Sequence, residues 1–91
     1  MKHRKEEHVL MRKVLGEALL VPVRGKLAEL QRVFTLNPVA EYVWDRLDGR
    51  RTLGAIAGDV AKEFEVDAEQ AAVDVGEFVA RLVADGLVVK E

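Results

Sequence analysis

The sequence predicts an α+β domain in which three N-terminal β-strands lead into a three-helix bundle. Three observations carry that assignment. Val9 to Leu15 and Ala18 to Val23 are short apolar segments on either side of Gly16-Glu17, the pattern of a hairpin. Gln31 to Leu36 alternates, with Arg32, Phe34 and Leu36 on one face and Gln31, Val33 and Thr35 on the other. From Asn37 onward, apolar residues recur at helical spacing between recognisable caps.

The elements follow in order. Lys2-His3-Arg4-Lys5-Glu6-Glu7 is a mixed-charge run, so residues 1–8 read as a flexible charged tail and residues 9–91 as a single domain. An alternative use of Lys2, Arg4 and Lys5 is attraction of an acidic partner. Pro22 cannot donate to a ladder and marks a strand end or edge. Arg24-Gly25-Lys26 turns the chain, and Leu27 to Leu30 reads as a loop or a helical turn before the third strand.

Asn37 is a good N-cap, and Pro38 suits a first helical position because its missing N–H costs nothing there. Ala40, Val43, Trp44 and Leu47 share one face of the first helix, with Gly49 as its left-handed stop. Thr52 opens the second helix, whose buried face is Leu53, Ile56, Ala57, Val60 and Phe64. Asp67 caps the third, with Gln70 as a capping-box partner. Its core face is Ala71, Val75, Phe78 and Leu82, and Gly86 ends it. Leu87-Val88-Val89 packs back on the bundle or adds an extended segment.

Composition narrows function more than it narrows fold. Ninety-one residues suffice for one small core. With 14 basic and 16 acidic residues the net charge is −2, so no global field draws in nucleic acid or anionic lipid. Cysteine is absent, which excludes disulfides, thiolate metal sites and cysteine nucleophiles and suits a cytoplasmic location. No apolar run approaches the roughly 20 residues of a membrane span, and no signal-peptide core follows the basic start.

Catalysis is hard to assemble from these residues. Serine is absent too, leaving Thr35, Thr52 and Tyr42 as the hydroxyls, with Thr52 accounted for as a cap. Both histidines, His3 and His8, fall in the tail, where nothing positions a general base. Asp45, Asp48, Asp59 and Glu63 fall on outward helical faces. Phosphate loops, zinc spacings and calcium loops are all missing, so the expectation is no enzyme, no cofactor and no metal.

Three helices beside a small sheet also describe a winged helix-turn-helix, which makes a DNA-binding regulator the alternative reading. A recognition helix needs Arg, Lys, Asn or Gln facing bases and phosphates. The third helix instead carries Glu69, Asp74, Glu77 and Asp85 against Arg81, with Asp67 at its cap, a surface that repels phosphate. On its other flank Ala72, Gly76, Val79, Ala80 and Val83 widen the apolar stripe to one side. Gly76 costs roughly 0.5–1 kcal/mol relative to alanine inside a helix, which close backbone approach would justify. That flank either packs on the strands or Trp44, or forms a shallow apolar groove beside the third strand.

Phe34-Thr35-Leu36-Asn37, Trp44 with Leu47-Asp48-Gly49, Thr52, Phe64-Glu65-Val66, and Phe78, Leu82 and Gly86-Leu87 together resemble the PqqD family, over about Val9 to Val88. The family is named for pyrroloquinoline quinone synthesis and generalised as precursor-peptide recognition elements. The resemblance implies a non-catalytic, winged-helix-like peptide chaperone. It adds the leader of a ribosomally made precursor as a further strand beside the third strand, facing the third helix. It then presents the peptide to a modifying enzyme, often a radical SAM protein. Carried onto this chain, the peptide-binding residues are Gln31, Arg32, Val33, Phe34, Thr35 and Leu36 of the strand with Ala72, Gly76, Val79, Ala80 and Val83 of the helix. An exposed third-strand edge also allows pairing between copies, so the expectation is a monomer or a weak homodimer. Gly25 to Leu30 departs from the family's short aromatic-rich turn, and the third helix is more acidic than a binder of acidic leaders requires. These departures favour a peptide-modification cluster other than pyrroloquinoline quinone synthesis.

Overall fold

The computed structural model describes residues 2–25, 28 and 32–90. Among these residues the chain forms two small antiparallel sheets and three helices.

The first sheet is a meander of β2 (Val9–Val14), β3 (Glu17–Pro22) and β4 (Phe34–Leu36), in that spatial order. The hairpin pairs Val9 with Pro22 through to Val14 with Glu17, so its tip is Leu15-Gly16, one residue earlier than expected. Both tip residues have positive φ, 51° and 84°, the backbone of the two-residue turn whose twist matches the strands. β4 pairs with β3 from Ala18 and Leu36 to Leu20 and Phe34. It is shorter than the predicted third strand: Arg32 and Val33 precede the ladder, and Gln31 lies outside the described residues.

The second sheet, built from β5 (Asp48–Thr52), β1 (Lys2–Lys5) and β6 (Val88–Lys90) in that spatial order, replaces a simple strands-then-helices order. Its central strand β1 comes from the segment expected to be a flexible tail. β5 and β6 flank it, pairing Lys2 with Thr52 and Arg4 with Asp48 on one side, and His3 with Lys90 and Lys5 with Val88 on the other. Ladders on both sides fix the backbone; Lys2 and Arg4 are exposed, His3 is buried, and the Lys5 ammonium lies 5.7 Å from the Trp44 ring centroid.

Capping chemistry sets the helices. α1 (Pro38–Asp45) starts at Asn37, whose side chain accepts from the Ala40 amide at 2.8 Å. It ends at Asp45 rather than running on to the expected stop at Gly49. The Asp48 carboxylate accepts from the Arg50 and Arg51 amides instead, and Gly49, at φ +80°, turns the chain into β5. Those donors hold the Asp48 carboxyl below the usual carboxylate range, the Arg50 amide contributing most. α2 (Leu53–Glu63) is capped by Thr52, which accepts from the Ala55 amide. α3 (Ala68–Ala84) is capped by Asp67, which accepts from Glu69 and Gln70. The Gln70 side chain does not close the expected capping box; its amide donates to Asp74 one turn on, at 2.8 Å. Gly86, at φ +77°, ends α3 with paired bonds from Gly86 N to Val83 O and Leu87 N to Leu82 O.

One core joins both sheets. Leu20 and Leu36 of the meander, Val43, Trp44 and Leu47 around α1, Ile56 and Val60 of α2, Val75 and Val79 of α3, Leu87, and Val88 of β6 are all buried in it. Leu36, Trp44 and Leu47 are therefore core residues.

Candidate functional site

β4 stands at the edge of its sheet, with β3 on one side and no strand on the other among the described residues. Leu36 points into the core, Phe34 is half-buried with the Arg32 guanidinium 5.7 Å from its ring centroid, and Thr35 and Val33 are exposed. The strand thus offers backbone donors and acceptors along one side, flanked by an apolar and a polar side chain.

At the C-terminal end of β4 the chain enters a cleft of about 260 Å3 between α1 and α3. Asn37, Val39, Ala40 and Val43 line one wall; Asp74, Val75 and Phe78 line the other. A shallower depression of about 190 Å3 continues along α3 past Glu77 to Arg81. The cleft beyond the end of β4 is thus walled by the flank of α3 that carries Phe78 among charged residues, and the apolar flank predicted for the site does not line it.

The predicted helix residues are distributed differently. Val79 is 1% exposed and belongs to the core. Together with Gly76, Ala80 and Val83 it borders a larger cleft, about 510 Å3, whose other walls are the start of α2 and the His3 and Lys90 side chains of the second sheet. Ala72 is exposed and borders neither cleft. Among the described residues nothing beyond its own helix turn lies within 4 Å of a Cβ built on Gly76, so close backbone approach by another element does not account for that glycine. At about 100° per residue, Phe78 and Asp74 lie on one side of Val75, and Val79, Val83, Gly76 and Ala80 on the other. Neither of these clefts is lined by both the strand and the helix halves of the predicted site.

The β4 cleft residues Val39, Ala40, Asp74 and Phe78 were not expected at a site. Their signal in the sequence is the Asn37-Pro38 cap, which starts α1 directly at the strand end and brings its first turn beside Phe78. No helix among the described residues is long and apolar enough to cross a membrane.

Known proteins share both the sequence pattern and the fold. A "PqqA binding protein" of Rhizobium meliloti (strain 1021) is 38% identical over 63 residues, 67% of this chain and 64% of that protein. A protein of the same name from Xanthomonas oryzae pv. oryzae (strain PXO99A) is 42% identical over 52 residues, 57% of this chain and 56% of its own length. The matched segment thus spans less than two thirds of each relative. The fold matches lasso peptide synthetase B1 complexed with the leader peptide, with a TM-score of 0.81 at 19% identity over 99% of this chain and all of that one. It also matches the PqqD truncation of Methylobacterium extorquens PqqCD, a stand-alone recognition element for ribosomally synthesized and post-translationally modified peptides. That likeness has a TM-score of 0.75 at 21% identity, over 97% of this chain and 88% of the other. Matched over residues 7–88 by the model of coenzyme PQQ synthesis protein D, the chain belongs to the PqqD family.

Proposed function

We propose that this protein is a non-catalytic recognition element that binds the leader of a ribosomally made precursor peptide by strand addition to β4 and presents it to a modifying enzyme, in a cytoplasmic setting. The observation that carries the reading is the edge position of β4, which has no strand on its outer side among the described residues and is followed by Asn37 in the wall of the Val39–Phe78 cleft. Backbone hydrogen bonds along the edge supply generic affinity, and the cleft supplies selectivity for alternate side chains. The relatives named for binding PqqA support a peptide ligand. The same edge pairs weakly between copies when no leader occupies it.

The cleft also defines the leader. Apolar surface from Val39, Val43 and Phe78 suits an aliphatic or aromatic anchor. Asp74 and Glu77 suit a basic residue one or two positions away, and favour it over an acidic one. Affinity in the micromolar range, about −8 kcal/mol, fits an encounter that must release its product.

The test is an amide NMR titration with the precursor peptide encoded beside the gene, with a random DNA duplex as control. Saturable shifts at 33–36 and at Asp74 and Phe78 are expected, and none with duplex. Val33→Pro removes the donor next to the edge strand at an exposed position and should weaken peptide binding at least about tenfold. Full affinity in a folded Val33→Pro variant would rule out strand addition here; shifts with duplex alone would instead favour the winged-helix regulator.

A further inference from the structure

The meander is apolar on the face it turns to water as well as on the face it turns to the core. An antiparallel sheet with one solvated face normally alternates apolar and polar residues along each strand. Its inner face is the expected one, with Val9, Ala18, Leu20 and Leu36 buried. The outer face follows from the ladder, in which directly opposed residues lie on the same side. Leu10 pairs with Val21, Arg12 with Leu19, Val14 with Glu17, and Leu19 with Thr35. Leu10 is 42% exposed and Val14 50%, with Leu19 and Val21 half-buried between them. Val33, 51% exposed, lies just ahead of β4. A contiguous apolar patch of this kind marks an interaction surface.

The charges on this face select its occupant. Arg12 and Glu17 both stand on it, exposed, one ladder step apart on neighbouring strands. Among the described residues no ion pair engages either one, whereas Lys13, on the inner side of β2, is held by Glu41 at 3.0 Å. One cation and one anion leave the face without net charge, so it attracts neither a phosphate chain nor an anionic lipid surface. The same two charges make it complementary to itself. A two-fold axis sets one patch against its own copy, so that a contact between unlike residues occurs twice.

We propose that two copies of this chain pack the outer faces of their meanders together, with Arg12 of each copy opposite Glu17 of the other. Sheets packed face to face interdigitate their side chains about 10 Å apart. Leu10, Leu19 and Val21 leave water in this arrangement, and two ion pairs stand beside them. Three strands about 4.8 Å apart offer a face of roughly 15 by 20 Å, well under the ~800 Å2 per partner of a standard interface. The association is accordingly weak and concentration-dependent. It uses side chains and not backbone edges, so the edge of β4 stays open in both copies. It does not rest on the leader reading, and it is distinct from pairing through that edge.

Sedimentation equilibrium of the full chain from ~10 μM to ~1 mM should show the mass rising from 10.1 kDa toward twice that value. Amide spectra over the same dilution should shift at 10, 12, 14, 19 and 21. Arg12→Glu and Glu17→Arg each set like charges against one another and should weaken the dimer at least about fivefold. Mixed in equal amounts, the two variants should restore it, because each then meets an opposite charge on the other copy. Leu10→Lys, at an exposed position, should leave a folded monomer at every concentration. Phosphatidylglycerol vesicles should not bind. A parent chain that stays monomeric at the highest concentration would overturn the proposal. So would single variants that associate as the parent does, a mixture no stronger than either variant, dilution shifts confined to 33–36, or vesicle binding without self-association.

Discussion

The two sheets of this domain are built on opposite plans. The meander β2-β3-β4 uses consecutive segments, closes its hairpin with a two-residue turn and buries Val9, Ala18, Leu20 and Leu36. The sheet β5-β1-β6 joins the beginning, middle and end of the chain, and the buried side chains of its strands are His3 and Val88. A local sheet is assembled cheaply and signals itself through alternation. A composite one forms only when distant segments meet on the completed core, and it needs no apolar pattern of its own. The composite sheet borders one flank of α3 directly, while the meander is followed by α1, which lines the cleft on the other flank, so the contrast extends to the two clefts.

The strongest way to break the comparison is to delete residues 1–5. A flexible tail would be dispensable; a central strand is not. Removing β1 strips β5 and β6 of the neighbour they share and frees the Lys5–Val88 and Arg4–Asp48 pairings. With each lost ladder bond worth about 0.5–1.5 kcal/mol, the expected loss is about 2–4 kcal/mol in urea denaturation. Amides of β2 and β3 should keep the larger share of their exchange protection. A truncated chain as stable as the intact one would return β1 to the status of a tail.

The same contrast explains what was legible in the sequence. Asn37, Thr52 and Asp67 announce the three helices because a cap is a local hydrogen bond between near neighbours, and all three bonds form. The β2–β3 hairpin was readable from two short apolar segments on either side of Gly16-Glu17. β1 was not, because Lys2-His3-Arg4-Lys5 has no apolar residue and its partners lie near residues 50 and 89. β5 was hidden in the same way, since Asp48-Gly49-Arg50-Arg51-Thr52 reads as turn and cap. Of the candidate site, the β4 edge was visible as an alternating segment. Which flank of α3 lines the cleft beyond its end was not, because a helix stripe widened on one side does not reveal which neighbour lies beyond each edge.

The local sheet should be improvable at its tip. Leu15 is fully exposed at φ +51°, where a leucine has no packing to offset left-handed strain. Leu15→Asn should stabilise the domain by about 1 kcal/mol, the order of the strain it relieves. No gain in the denaturation midpoint would mean that the tip relaxes at no cost. On the composite side, Gly76→Ala should add about 0.5–1 kcal/mol, because the new methyl improves helix propensity and meets no atom within 4 Å. A loss there would require a close neighbour over α3 in solution.

The smallest effect separates the sheets by pH. Burial, and then the Lys90 ammonium, hold His3 below its ordinary pKa of 6.5. The unfolded chain therefore takes up a proton at His3 before the folded one does. The stabilisation is complete above pH 6.5 and is lost as pH falls through that value toward the lower folded-state pKa. The strands of the meander bury no titratable side chain, so acidification from about pH 7.5 to about pH 5.5 should reduce exchange protection in β1, β5 and β6 before it does so in β2 and β3. His3→Leu should flatten the difference between the sheets while leaving the meander's own pH response unchanged. If both sheets weaken in parallel, and His3→Leu follows the same course, then the composite sheet is not held together around a neutral His3.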